Sequence, residues 1–224
     1  MTIVNGEARQ DPLLLWDLAP LPVTLWDGTR VLLRPLRPGD EGRLQQAYAQ
    51  LLSTESRYNR FWRKSDEMPV DLAARLTATD GVNHVAWAAL NPDDEQFPAF
   101  GAASFWRDAE RTDRAELSFT IADDWQRRGF ATLLFSILWF DGWRTGLRRF
   151  CGFSRPGNVA IRDFWRAVGG REVLSLNEAE LTFDLTAPEE FVERVAFEME
   201  PGPLRHDVAV WMQEWLVKTG EKAE

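Results

Sequence analysis

Between residues 114 and 122 the chain reads RAELSFTIA, with Ala115, Leu117, Phe119 and Ile121 alternating against Glu116, Ser118 and Thr120. A period of two predicts a strand with two distinct faces, and it puts the Glu116 carboxylate on the same face as the Ser118 and Thr120 hydroxyls. After a loop over 123–127 the period changes. From about Arg128, Phe130, Leu133, Leu134, Ile137 and Leu138 fall on one helical stripe, which predicts a helix packed on the sheet by that stripe and ending around Gly142 to Gly146.

The same pattern places a first strand over 29–36, ending at Pro35, and a helix over 41–52 with Asp40 as its N-cap. Short helices follow over 54–62 and from Pro69 to 78. Segments 85–90 and 100–106 read as a hairpin joined through the turn-forming NPDDEQ. Downstream come a strand over 150–153, a helix over 158–168 stopped by Gly169 and Gly170, and a closing pair of strands over 172–176 and 180–185. Two further helices are expected over 189–199 and 204–218, separated by Pro201, Gly202 and Pro203. On the second, Val208, Trp211, Met212 and Trp215 form an apolar stripe that suits either packing on the domain or a subunit contact, so a homodimer is one expectation. The order is mixed α/β, and no internal repeat is present.

Composition changes this picture in a few places. With 224 residues, 45% of them hydrophobic and 11 of them Trp, the chain suits one large domain with appendages and not a disordered or coiled-coil protein. No apolar run approaches the roughly 20 residues needed to span a bilayer, and residues 1–27 carry Glu7, Asp11 and Asp17 in place of a basic leader, so no membrane partner and a cytoplasmic location are expected. A single cysteine, Cys151, excludes an internal disulfide and reads as an inert strand residue. With only His84 and His206 beside it, no structural zinc set is spelled out and no metal is expected. The net charge of -9 disfavours nucleic acid as a partner and is compatible with a cationic amine substrate.

Strand, glycine-bearing loop and helix in succession present several backbone N–H groups at a helix N-terminus, where the dipole favours anions. Gly129 lets the backbone approach a phosphate closely, Ala131 keeps the next turn small, and Arg127 and Arg128 add positive charge. A diphosphate is a natural ligand for such a cradle. Residue types alone leave the bland alternatives open: an ordinary capped helix start at Gln126 to Ala131, a solvated Glu116 paired with a cation such as Arg114, and Asn158 as a simple N-cap.

The run Ile121-Ala122-Asp123-Asp124-Trp125-Gln126-Arg127-Arg128-Gly129-Phe130-Ala131 resembles the cofactor motif of the GNAT superfamily of N-acetyltransferases, Q/R-x-x-G-x-G/A after a strand. Asn158 to Trp165 followed by Gly169-Gly170 looks like the family's second motif. Residues 33–40 (LRPLRPGD) and 55–62 (ESRYNRFW) are similar to the opening of the catalytic domain of bacterial protein lysine acetyltransferases. The resemblance covers about 29–185. It implies a GNAT-like fold, a mixed and mostly antiparallel central sheet flanked by helices, with two parallel strands splayed around the cofactor.

The co-substrate implied is acetyl-coenzyme A. Its pantetheine arm would bond to backbone near Thr120, Ile121 and Ala122, and its phosphates would meet the amides of Gln126, Arg127, Arg128, Gly129, Phe130, Ala131 and Thr132. Asn158 would line the same cleft, and an N–H near Thr120 or Ile121 would polarise the thioester carbonyl. Glu116 is the expected general base, because an ammonium acceptor must lose a proton before it attacks. The acceptor is a primary amine, a protein lysine or a small molecule. Many relatives carry a tyrosine at or near Trp165 as general acid; here Tyr48 and Tyr58 are the only tyrosines, so Tyr58 or solvent is left for that role. Three segments are expected: an arm over 1–28, an acetyltransferase domain over 29–186 and a helical extension over 187–224. A non-catalytic acyl-coenzyme A binding module, or an interaction protein acting through its C-terminal helices, are the competing readings.

Overall fold

The computed structural model describes residues 20–24, 28–94, 99–187 and 190. Its strands are β1 (Leu21–Thr24), β2 (Arg30–Pro35), β3 (His84–Leu90), β4 (Ala99–Arg107), β5 (Arg114–Ile121), β6 (Arg149–Ser154), β7 (Arg171–Leu174) and β8 (Ala179–Asp184). The helices are α1 (Glu41–Leu51), α2 (Thr54–Phe61), α3 (Val70–Thr77), α4 (Phe130–Arg144) and α5 (Val159–Ala167). All eight strands form one sheet in the order β1-β2-β3-β4-β5-β6-β8-β7, antiparallel throughout except for β5 beside β6. This is the mixed, mostly antiparallel sheet expected. The sheet also reaches into the segment assigned to the N-terminal arm, because Leu21–Thr24 pairs with Arg30–Leu33. Both expected C-terminal helices fall outside the described residues, apart from residue 190.

The two sheet faces differ in the size of their side chains. On one, Trp87, Phe105, Leu117 and Phe119 pack against α4 and α5 in the main core. α4 departs from the single stripe expected of it: every residue from Thr132 to Gly142 is buried, so the helix is enclosed on all sides. Trp87 Nε1–H donates to the buried Asp141 carboxylate at 3.0 Å, tying that helix to β3. On the other face α1 and α3 form a smaller cluster around Tyr48, Leu52, Met68 and Ala73.

Trp165 of α5 is 1% exposed, and its Nε1–H donates to the Thr182 carbonyl of β8 at 2.9 Å. The indole is therefore a wedge between α5 and the sheet, with its only proton donor already committed. A methyl group added at Gly170 would lie 2.2 Å from Trp165 Cδ1 and 2.9 Å from the Trp165 carbonyl oxygen, so it must displace that wedge. Gly170→Ala is expected to lower stability by about 1–3 kcal/mol as an overpacking change, read as a lower urea midpoint with an unchanged slope.

Candidate functional site

β5 and β6 share only three register pairs, Arg114↔Arg149, Ala115↔Phe150 and Glu116↔Cys151. Beyond them β5 stays paired to β4 as far as Ile121, and β6 stays paired to β8 as far as Ser154. Each strand follows its own neighbour, and the two separate. The gap opens directly after Glu116 and leads into a cleft of about 2120 Å³.

The ladder decides which backbone groups face that gap. Ala122 N–H donates to the Phe100 carbonyl at 3.0 Å, which makes residues 122, 120, 118 and 116 the ones bonded to β4. Phe119 and Ile121 then turn their N–H and C=O groups toward β6 beyond the fork, where the Ile121 carbonyl accepts from Gln126 Nε2 at 3.4 Å and both N–H groups face the gap. Two expectations are corrected here. The Thr120 amide is committed to β4 and cannot polarise a carbonyl in the gap, although the Thr120 side chain does line the cleft. Ala122 is 4% exposed, its carbonyl accepts from Trp125 N–H at 2.8 Å, and it lies outside the cleft lining, so it has no backbone group to offer a pantetheine arm.

At the end of β5 the chain makes a 3₁₀ turn, Asp123–Trp125, and then reverses into α4. Arg127 and Gly129 both take the left-handed conformation, with φ of 61° and 88°. For Arg127 that conformation is uncommon in a non-glycine residue and is typical of strained functional turns. No side chain caps α4, and Leu133 N–H is the first to find an acceptor in the helix, at the Gly129 carbonyl. The amides of Phe130, Ala131 and Thr132 thus have no intrahelical partner and point out of the helix start. Arg127 and Arg128 are exposed beside them, the Arg128 guanidinium lying 4.6 Å from the Trp125 ring. Phe130 is 1% exposed and packs on Phe100, so only its backbone is available. Gln126 spends its side-chain N–H groups on Asp123, Ser56 and the Ile121 carbonyl, and Ser53 N–H also donates to Asp123 at 2.9 Å. These bonds brace the turn against the start of α2.

The cleft is lined by Glu116, Thr120 and Ile121, by every residue from Gln126 to Thr132, and by Asn158. Asn158 also accepts from Ile161 N–H at 3.5 Å as the N-cap of α5. Glu116 is exposed and stands opposite Trp106 across the β4–β5 ladder. Tyr48 donates to the Ser65 carbonyl, and Tyr58 lies outside the cleft lining, set against the Arg155 guanidinium at 4.3 Å.

Arg60 of α2 is a site residue that the sequence pattern does not reveal. Its Nη2–H donates to Ser118 Oγ at 2.7 Å, Ser118 meets Ser104 Oγ at 3.0 Å, and its Nε is buried without a partner. Desolvation pulls the guanidinium down to about 10, with the nearby Glu116 charge acting the other way. Only the 58-residue separation of Arg60 and Ser118 hides this contact. Arg60→Met is expected to leave the melting temperature unchanged or slightly raised, since it removes a buried unsatisfied donor. It should also lower turnover about tenfold, so equal losses of stability and activity would refute a site role.

A family model described as an acetyltransferase (GNAT) domain matches residues 30–171. The chain is 29% identical over 153 residues to the Acetyltransferase Pat of Mycolicibacterium smegmatis, covering 68% of this chain but 44% of that protein. It is 32% identical over 146 residues to Acetyltransferase PA5475 of Pseudomonas aeruginosa, covering 65% of this chain and 77% of that one. Among solved structures it resembles the GNAT domain of S. lividans PAT, with a TM-score of 0.65 and 28% identity over 74% of this chain and 96% of the other.

Proposed function

Since the chain belongs to the GNAT family of acetyltransferases, we propose that it transfers the acetyl group of acetyl-coenzyme A to a primary amine by direct attack in a ternary complex. The observation that carries this reading is the fork between β5 and β6, which exposes unpaired backbone beside the uncapped start of α4. The family fold supplies the acetyl-coenzyme A dependence, and the residues present fit that co-substrate. A left-handed Gly129, free helix-start amides and two exposed arginines suit a diphosphate. The unpaired N–H groups of Phe119 and Ile121 suit a pantetheine amide and a thioester oxygen.

Glu116 is positioned to take the proton from the acceptor ammonium, being exposed in the cleft at the point where the strands part. Trp106 beside it stacks one face on His84 and lies between His84 and Glu116 in the ladder, so its other face is the one that would favour a cation before the proton is lost. With Trp165 committed to Thr182 and Tyr58 outside the cleft, proton return to the departing thiolate falls to solvent, which is adequate because a thiol titrates near 8.5. Cys151 stays a spectator: burial pushes its thiol up, and Sγ–H donates to the Ala115 carbonyl. Acceptors are a lysine side chain of a protein or a small amine. Following thiol release from acetyl-coenzyme A against polyamines, amino sugars and lysine peptides tests the proposal. Release that no amine accelerates would overturn it.

A further inference from the structure

The face of the sheet opposite α4 is floored by small residues. Two cross-strand rows, Ala86–Ser104–Ser118 and Ala88–Ala102–Thr120, lie side by side there, while the same strands carry Trp87, Phe105 and Phe119 on their other face. Leu44, Tyr48 and Leu51 of α1, with Phe61, Met68 and Leu76, stand over this floor without filling the space. A chamber of about 210 Å³ remains. The space is a partly open pocket, and it follows from six small residues standing in register across three strands that carry large side chains on their other face.

Three observations say what would enter it. The chamber and the catalytic cleft share Ser118, Thr120 and Arg60 as lining, so they join on β5 within four residues of Glu116. Polar side chains gather at that junction, where Arg60, Ser118 and Ser104 bond to one another. Further in, the walls are mostly aliphatic and aromatic, with Arg43 and Gln46 also in the lining; the Tyr48 hydroxyl is turned onto the Ser65 carbonyl, and the one carboxylate, Asp40, is paired with Arg34 through two bonds of 2.7 and 2.8 Å. A cationic acceptor entering there would lose its hydration with no free anion to replace it. An alkyl chain would lose nothing.

Resting on the acetyltransferase reading above, we propose that this chamber holds the acyl chain of the thioester donor, so that the protein accepts acyl groups longer than acetyl. The carbonyl stays at the β5 edge, and the chain passes between Ser118 and Thr120 onto the small-residue floor. A methylene takes up about as much space as a water molecule, roughly 30 Å³, so there is room for about six or seven carbons. Transfer is otherwise unchanged: the amine nitrogen bonds to the acyl carbon, the carbon–sulfur bond breaks, and coenzyme A leaves as the thiol.

Calorimetry with non-hydrolysable S-alkyl thioethers of coenzyme A reads this directly. Affinity for the wild-type protein should tighten by roughly two- to fourfold per added methylene as far as hexyl, then level off or fall. Ala102→Leu, which places a branched chain on the floor opposite Thr120, should weaken the hexyl thioether at least tenfold while unmodified coenzyme A binds within twofold of wild type. Should that variant fail to fold, Ala88→Val gives the same reading with one carbon less. Uniform affinity along the series in wild type, with coenzyme A still bound, overturns the chamber assignment alone. Absence of any binding by coenzyme A overturns the acetyltransferase reading itself.

Discussion

Glu116→Gln is expected to lower kcat/KM for amine acetylation by about 10²–10⁴-fold while leaving the affinity for coenzyme A unchanged. Glutamine keeps the size and the strand position but cannot accept the acceptor's proton. Because Glu116 is exposed and its neighbours Ala115 and Leu117 carry the burial, the change should not touch the fold. The loss should fall on kcat as well as on kcat/KM, because the proton must leave the acceptor as its nitrogen attacks. Activity within about threefold of wild type, with the same pH profile, would remove Glu116 from the mechanism. Coenzyme A binding without acetyl transfer by the wild-type protein would instead favour a non-catalytic acyl-coenzyme A module.

The second large effect is expected at Gly129, and Gly146 provides its control. Both have φ of 88°, one just before α4 and the other just after it. An alanine at either site meets the same left-handed strain, on the order of 1–2 kcal/mol. An added methyl at Gly146 has open space around it. At Gly129 the methyl would stand beside the amides proposed to hold the diphosphate, in the path of the closest phosphate oxygens. Gly129→Ala should therefore raise the Kd for coenzyme A at least tenfold, equal to about 1.4 kcal/mol, whereas Gly146→Ala should leave it within twofold. Both should lower the melting temperature by a similar few degrees. If the two variants bind coenzyme A equally well, the phosphate cradle is not where the fold suggests.

Features written in local pattern are legible in the sequence alone. The alternation over 114–122 puts Glu116, Ser118 and Thr120 on one face and Ala115, Leu117 and Phe119 on the other, and the register with β4 shows that division. A strand breaking into a glycine turn and a long apolar run announces the β5–α4 corner, because side-chain period and glycine placement are set by neighbours a few residues away. β1 carries no such signal: it is four residues long with Pro22 inside it, and only pairing with β2 makes it a strand.

What stays hidden depends on partners distant in the chain. The amide direction at Thr120 and Ala122 follows from which edge of β5 β4 occupies, and the fork follows from β6 turning to β8. Trp165 becomes a wedge because Thr182 lies beneath it, and Arg60 joins the site because α2 crosses the open face at Ser118. The small residues over 86–104 read simply as strand; that they line up across β3, β4 and β5 to leave a chamber depends on register. The sequence by itself thus determined the elements from β2 to β8, the sidedness of β5 and the glycine turn into α4, since those arise from local sterics and periodicity. Which backbone groups stay free, and where space is left between α1 and the sheet, were decided only by tertiary structure, because both are set by what packs alongside and not by the residue itself.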